Sequence, residues 1–161
     1  MALSGYSYCS NSTSSFSDSV LNAMNVYKNC DKYGRLYDWN TAKRVCPSGY
    51  RLPDEDDWYK LFEMAGETYF AWAFGRDSKL ASRSDWSGTD DYGFSALPGG
   101  MTVKNSFNEL INWRAGAYWW TATEENNDNA LMIQIISASD FIYNNVLSKD
   151  YILSVRCIKT D

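Results

Sequence analysis

Four apolar runs dominate the last third of the chain: YWWTAT (Tyr118 to Thr123), ALMIQII (Ala130 to Ile136), DFIYNNVL (Asp140 to Leu147) and ILSVRCIK (Ile152 to Lys159). Each is rich in β-branched and aromatic residues, and the gaps between them are polar and rich in Asn. Short runs of that composition, separated by turn-forming residues, predict strands joined by tight connections. The sheet they form is read as the display element of the molecule, with the preceding residues as its support. Trp119 and Trp120 are adjacent within the first run. On a strand successive side chains point to opposite faces, so one indole is expected in the core and the other toward the loops.

Working outward, the 161 residues suffice for a single domain, 1–161, with a real core. Aromatic residues reach 16%, including 7 Trp and 12 Tyr, a level that belongs to dense cores or to recognition surfaces. The net charge of −5 comes without any Lys/Arg cluster, which argues against nucleic acid and anionic membranes as partners. No apolar run approaches the roughly 20 residues that span a bilayer, so no membrane insertion is expected.

There is no histidine. That removes the commonest general base, the His-activated nucleophiles and most catalytic zinc sites. An enzyme would have to join carboxylates such as Asp90, Asp91 or Glu124 in one pocket with perturbed protonation. The expectation is therefore a protein without catalytic residues, cofactor or metal.

Four cysteines occur, Cys9, Cys30, Cys46 and Cys157, with no CxxC pair. Zinc and thioredoxin-like readings thus lack their spacing signature. Buried thiols in a cytosolic protein and two disulfides in an exported one both remain open, the second being preferred. Met1-Ala2-Leu3 leads into no signal-peptide apolar core, so an exported form would be trimmed or part of a longer product.

Residues 1 to 30 are read as a Ser/Asn/Tyr-rich loop with a short helix near Val20 to Tyr27 and a sequon pattern at Asn11. Trp39, Ala42 and Val45 recur at helical spacing, and Pro47-Ser48-Gly49 stops that helix. A second helix is capped by Asp54, with Glu55, Asp56 and Asp57 placing negative charge on its N-terminal dipole. Trp58, Leu61, Phe62 and Ala65 follow on one face, and Gly66 ends it. Capping explains that acidic run better than a metal site does. Residues 67 to 117 are irregular. Within them, GTDDYGFSALPGG (Gly88 to Gly100) reads as a glycine-scaffolded loop containing a short strand, with Asp90 and Asp91 in turn-capping roles rather than as calcium ligands. The expected core comprises Trp39, Ala42, Trp58, Leu61, Phe62, Phe94, Leu97, Trp120, Val155 and Ile158.

Five motifs in order, CDKYGRLYDW (Cys30 to Trp39), CPSGYRLPDEDDW (Cys46 to Trp58), GTDDYGFSALPGG, YWWTATEEN (Tyr118 to Asn126) and SVRCIK (Ser154 to Lys159), resemble the Fibrobacter-type major paralogous domain of the C-type-lectin-like superfamily. The resemblance covers about Tyr8 to Lys159. It implies an α+β, C-type-lectin-like fold: two helices packed on small antiparallel sheets with long irregular loops, and a first strand that is short or missing. It also implies disulfides between Cys46 and Cys157 and between Cys9 and Cys30. Related sulfatase-modifying enzymes use reactive cysteines, and cysteines committed to disulfides leave that activity behind. Calcium-dependent lectins use Glu-Pro-Asn-like and Trp-Asn-Asp-like triplets. Glu124-Glu125-Asn126-Asn127-Asp128 supplies oxygens without either pattern.

Variable proteins of diversity-generating retroelements often use this same domain, diversified in the last strands and loops. The resemblance thus implies ligand contacts at Asn126, Asn127 and Asn129, and at Gln134, Ile136, Ser139, Phe141, Tyr143, Asn145, Leu147 and Ile152. Ile133 lies in the same stretch. Apolar residues there would make a sticky patch suited to a protein ligand. Alternatively, Leu131, Ile133, Ile135 and Ile142 fill the core. The expected function is a non-enzymatic recognition domain for a protein or glycan, extracellular, on a cell surface or on a phage virion. The alternative is a structural or carbohydrate-binding surface domain of fixed specificity.

Overall fold

The computed structural model describes residues 7–8, 30–66, 79–104, 111–112, 115–136 and 142–160. The readings placed on Cys9, Asn11, Val20 to Tyr27, Ser139 and Phe141 lie outside them, as does the pairing of Cys9 with Cys30.

Two helices of more than one turn form where the sequence places them. Helix α2 (Trp39–Val45) follows a single turn, α1 (Cys30–Tyr33), and is capped by Asp38, whose carboxylate accepts from the Thr41 amide at 3.1 Å and the Thr41 hydroxyl at 2.8 Å. Helix α3 (Glu55–Ala65) opens on a reciprocal capping box. The Asp57 amide donates to Asp54, and the Asp54 amide donates back to Asp57 at 2.9 Å. Gly66 closes α3 at φ 69°, the left-handed conformation that favours glycine. The acidic run Asp54 to Asp57 is thus spent on helix initiation, with Arg51 clamping Asp57 through both guanidinium nitrogens at 2.5 and 2.9 Å.

Nine strands are described: β1 (Ser7–Tyr8), β2 (Leu36–Asp38), β3 (Tyr50–Arg51), β4 (Thr102–Val103), β5 (Gly116–Glu124), β6 (Asn129–Ile136), β7 (Ile142–Ser148), β8 (Tyr151–Ser154) and β9 (Ile158–Lys159). The main sheet runs β1-β2-β8-β5-β6-β7, with β4 also paired to β8, while β3 and β9 make a separate small sheet. The fold is α+β as expected, and the strand expected ahead of Ser7 falls outside the described residues. The sheet itself departs from expectation. It is mixed, because β8 lies parallel to β5 at Trp119 and Ser154, while the other strand pairings are antiparallel.

A second departure is that the sheet is covered on both faces. On one side α3 and the 80–96 segment pack Trp58, Phe62, Ala65, Leu80 and Ala96 against Ala117, Trp119, Ile133 and Ile135. On the other, α2 brings Trp39 and Ala42 against Tyr118, Trp120, Ala130, Met132 and Leu153. The neighbouring indoles divide between the two sides as expected, Trp120 into the α2-side core and Trp119 toward α3 and the Phe94 ring of the glycine-scaffolded loop, and both are buried, at 0% and 3% exposed. The near-continuous apolar run of β6 has the same cause, since a strand buried on both sides has no polar face to alternate with. Of the expected core, Trp39, Ala42, Trp58, Phe62 and Trp120 are buried, whereas Leu61, Phe94, Leu97, Val155 and Ile158 are half-buried.

Contacts between the five motifs hold this framework together. Trp39 Nε1 donates to the Thr121 carbonyl and Trp120 Nε1 to the Tyr37 carbonyl, both at 2.9 Å. The Ala122 amide donates to the Pro53 carbonyl at 2.8 Å, and Arg156 donates to the Phe94 carbonyl at 2.9 Å while lying over the Phe94 ring. Gly88 passes so near Ala81 that a Cβ there would sit 2.2 Å from the Ala81 carbonyl oxygen. Cys46, just after α2, is bonded to Cys157, just before β9, closing a separation of 111 residues. Chain entropy alone assigns such a closure about 4 to 5 kcal/mol, an upper bound.

A candidate recognition surface at the β5–β6 turn and the β7 edge

Strands β5 and β6 are joined by residues 125–128, and the side chain of Asn126 organises that turn. Its Oδ1 accepts from the amides of Asp128 and Asn129, each at 3.0 Å, and from Asn129 Nδ2 at 3.1 Å. Such Asx geometry is a local alternative to continuing the strand. The amides of Glu125 and Asn126 both donate to the Asn129 carbonyl at 3.2 Å. Glu124 to Asp128 are all exposed. The turn therefore offers polar side chains on a fixed backbone.

Lys149, in the link between β7 and β8, fastens this turn from the other side. Its amide donates to the Asp128 carbonyl at 2.9 Å. Its ammonium reaches Glu124 Oε1 at 2.5 Å, the Asn126 carbonyl at 2.7 Å and the Asn127 carbonyl at 2.9 Å. The ammonium also stands 4.3 Å from the centroid of the Trp39 ring, which carries the Lys43 ammonium at 3.7 Å as well. The hydrogen bond from Lys149 holds the Glu124 carboxyl below its usual range. Lys149, Lys43 and Trp39 were not marked as site residues by sequence reasoning. No local signal marks them, since they meet only where the β7–β8 link passes beside the turn and over Trp39.

The register of β6 with β7 divides the expected contact residues between the two ends of the hairpin. Asn129 pairs with Ser148 and Ala130 with Leu147 near the turn, while Gln134 pairs with Tyr143 at the far end. Asn129 and Ile136 are separated by roughly 23 Å along a strand rising about 3.3 Å per residue. Asn126, Asn127, Asn129 and Leu147 thus gather toward one end, with Gln134, Ile136 and Tyr143 toward the other and Asn145, opposite Met132, midway between them. Asn145 is exposed, and Leu147 and Ile136 are partly buried against the α2-side core.

Ile152 is a correction. It is 0% exposed, flanked by Asp38 of β2 on one side and Thr102 of β4 on the other, so it is a core residue and unavailable to a ligand. Ile133, also 0% exposed, belongs to the α3-side core together with Ile135. The core-filling alternative therefore accounts for Leu131, Ile133 and Ile135, while among the described residues Ile136 and Leu147 stay half-buried and the neighbouring Val146 is 46% exposed. Asn144, opposite Ile133, donates to Glu55 and, at 3.1 Å, to Tyr59, tying β7 to α3.

The other carboxylates have local structural work. Asp90, at φ 51°, accepts from the Ser95 amide at 2.7 Å and from the Ser95 hydroxyl, which is the turn-capping role expected of it. Asp91 is exposed. The glycine-scaffolded loop around them carries isolated bridges, Ala81 to Ala96 and Gly100 to Ala117, in place of the expected short strand. Among the described residues no three His, Cys, Asp or Glu side chains are grouped to hold a metal ion, and no helix is long and apolar enough to cross a membrane.

A family model described as the Fibrobacter succinogenes major domain matches residues 7–159. The chain belongs to that family. No curated protein and no solved structure matches it. In this Fibrobacter succinogenes major domain the matched span contains all five motifs, the Cys46–Cys157 bond and the whole β5–β6 turn with its Lys149 clasp. The motif residues just described serve mainly to bond strands, helices and loops to one another, and the turn and the outer face of β7 are what they leave exposed.

Proposed function

We propose that this domain is a non-enzymatic recognition module. Its ligand, a protein, is held on the β5–β6 turn and the outer part of β7. The observation that carries this reading is the contrast within the turn: Glu125, Asn126, Asn127 and Asp128 are exposed, yet their backbone is pinned by Asn126 Oδ1 and the Lys149 ammonium. Fixed polar groups bind without first losing conformational entropy. The proposal includes a C-type-lectin-like fold and a place among the diversity-generating retroelement variable proteins. A framework bonded through its motifs and buried on both faces tolerates substitution at Asn127 or Asn145, which contribute nothing to either core. The Cys46–Cys157 bond fits an oxidising location, such as a cell surface, the extracellular space or a phage virion.

One observation favours a second reading, carbohydrate binding of fixed specificity. With Ile133, Ile135 and Ile152 buried, the accessible groups are largely amides and carboxylates, which suit hydroxyl-rich ligands. Screening the protein against immobilised glycans and bacterial surface proteins separates the two. Asn127→Ala and Asn145→Ala should each lower the affinity for a protein hit about tenfold, the effect of losing one or two polar contacts. Their melting temperatures should stay at the parental value. Unchanged affinity in both variants would remove this surface from the binding site, and hits confined to glycans would favour the second reading.

A further inference from the structure

We propose that the β5–β6 turn is a cation-centred loop whose resident cation is the chain's own Lys149 ammonium, so that the surface is organised without a divalent metal. The inference deepens the recognition reading by stating how that surface is held in shape, and it rests on that reading for its functional meaning. An ammonium has three N–H donors and no acceptor. Lys149 matches them with three oxygens from the turn, Glu124 Oε1, the Asn126 carbonyl and the Asn127 carbonyl, at 2.5, 2.7 and 2.9 Å.

The Trp39 ring forms a further wall at 4.3 Å, and is itself fixed by its Nε1 bond to the Thr121 carbonyl. The Lys149 side chain is only 12% exposed, so little water competes for it. Carboxylate and carbonyl oxygens converging on one point are also the donors a hard cation such as calcium selects. Here the point is taken: a divalent ion at about 2.3 to 2.6 Å from the same oxygens would sit against a like charge. The charge that the Glu124 carboxylate and two carbonyls call for is supplied covalently.

The reporters are the Asp128 and Asn129 amides, whose acceptor is Asn126 Oδ1 inside the turn. Hydrogen exchange of the full chain should be the same in millimolar calcium as in chelator. Lys149→Met should speed exchange at these two amides about tenfold, the scale of losing charge-assisted hydrogen bonds. In Lys149→Ala, added ethylammonium should restore protection, whereas tetramethylammonium, which has no N–H donor, should not. Calcium-dependent protection of the parent protein would overturn the proposal, and so would unchanged exchange in Lys149→Met. If the substituted proteins fail to fold, the metal comparison on the parent protein still decides. No ligand enters this assay, so its failure and that of the recognition reading are distinguishable.

Discussion

The two faces of the central sheet are built on different principles. Toward α3 the packing is aromatic: Trp58 lies 5.6 Å from Trp119 and 5.9 Å from Phe94, and the buried Trp58 Nε1 has no hydrogen-bond partner among the described residues. Toward α2 the large side chains are hydrogen-bonded as well as packed. Trp39 donates to Thr121, Trp120 to Tyr37, and the Tyr118 hydroxyl accepts from Asn112 at 2.6 Å. Burial pushes the Tyr118 phenol above its usual range. Apolar contact is non-directional, so the aromatic core toward α3 contributes stability while orientation there is fixed at its rim, by the bonds of Asn144 to Glu55 and Tyr59 and of the Glu55 amide to Thr123. Directional bonds fix where a ring sits, and the Trp39 ring fixed in this way is the one beneath Lys149 and the candidate turn. The face that positions the turn is the hydrogen-bonded one.

The largest expected effect would break the claim that both faces are core. Trp119→Ala and Trp120→Ala should each cost about 3 to 5 kcal/mol, read from urea melts. A silent variant at either position would show that one face is dispensable. A smaller effect sharpens the difference between the faces. Trp39→Phe should cost about 1 to 2 kcal/mol more than Trp58→Phe, because only the first leaves a buried carbonyl, that of Thr121, without this donor. Equal costs would mean that the hydrogen bond adds nothing to packing.

The smallest effect is a pH dependence on the α3 side. The hydrogen bond from Arg51 holds the Asp57 carboxyl below its usual range, assisted by the Asp54 amide and against the opposing effect of burial. A carboxyl whose pKa is lower folded than unfolded stabilises the fold above its unfolded value of about 3.9. That stability is lost as pH falls through the lower folded value. Asp57→Asn should therefore flatten the acid limb of stability against pH below about 4 and leave the slope at neutral pH unchanged. An acid limb identical to the parent's would show that the Arg51 clamp contributes nothing.

Much of the fold was legible because its signals are local. Asp54, Gly66 and the spacing of Trp58, Phe62 and Ala65 mark α3 to the residue, and Trp39, Ala42 and Val45 mark α2. The strand runs of the last third were equally plain. What escaped was non-local. The run ALMIQII alone leaves open one face for a ligand, whereas its lack of alternation is what two-sided burial produces. Ile152 falls with the expected contact residues because nothing in ILSVRC reveals that β2 and β4 flank it. The polar positions Asn126, Asn127, Asn129 and Asn145 are named through the family resemblance, and all but Asn129 are exposed. Lys149 is not named in that way, since its role depends on the β7–β8 link passing beside a turn whose residues precede it by more than twenty positions.

The most direct test of a diversified surface on a two-sided framework is deep sequencing of the 3′ end of this gene across one bacterial or phage population. The expected result is substitution concentrated at the codons of Asn127, Asn129, Gln134, Tyr143 and Asn145. Trp119, Trp120, Ile133, Ile152, Lys149 and Cys157 should be unchanged. Uniformly low variation, or substitutions spread equally over those buried and clasping positions, would contradict it.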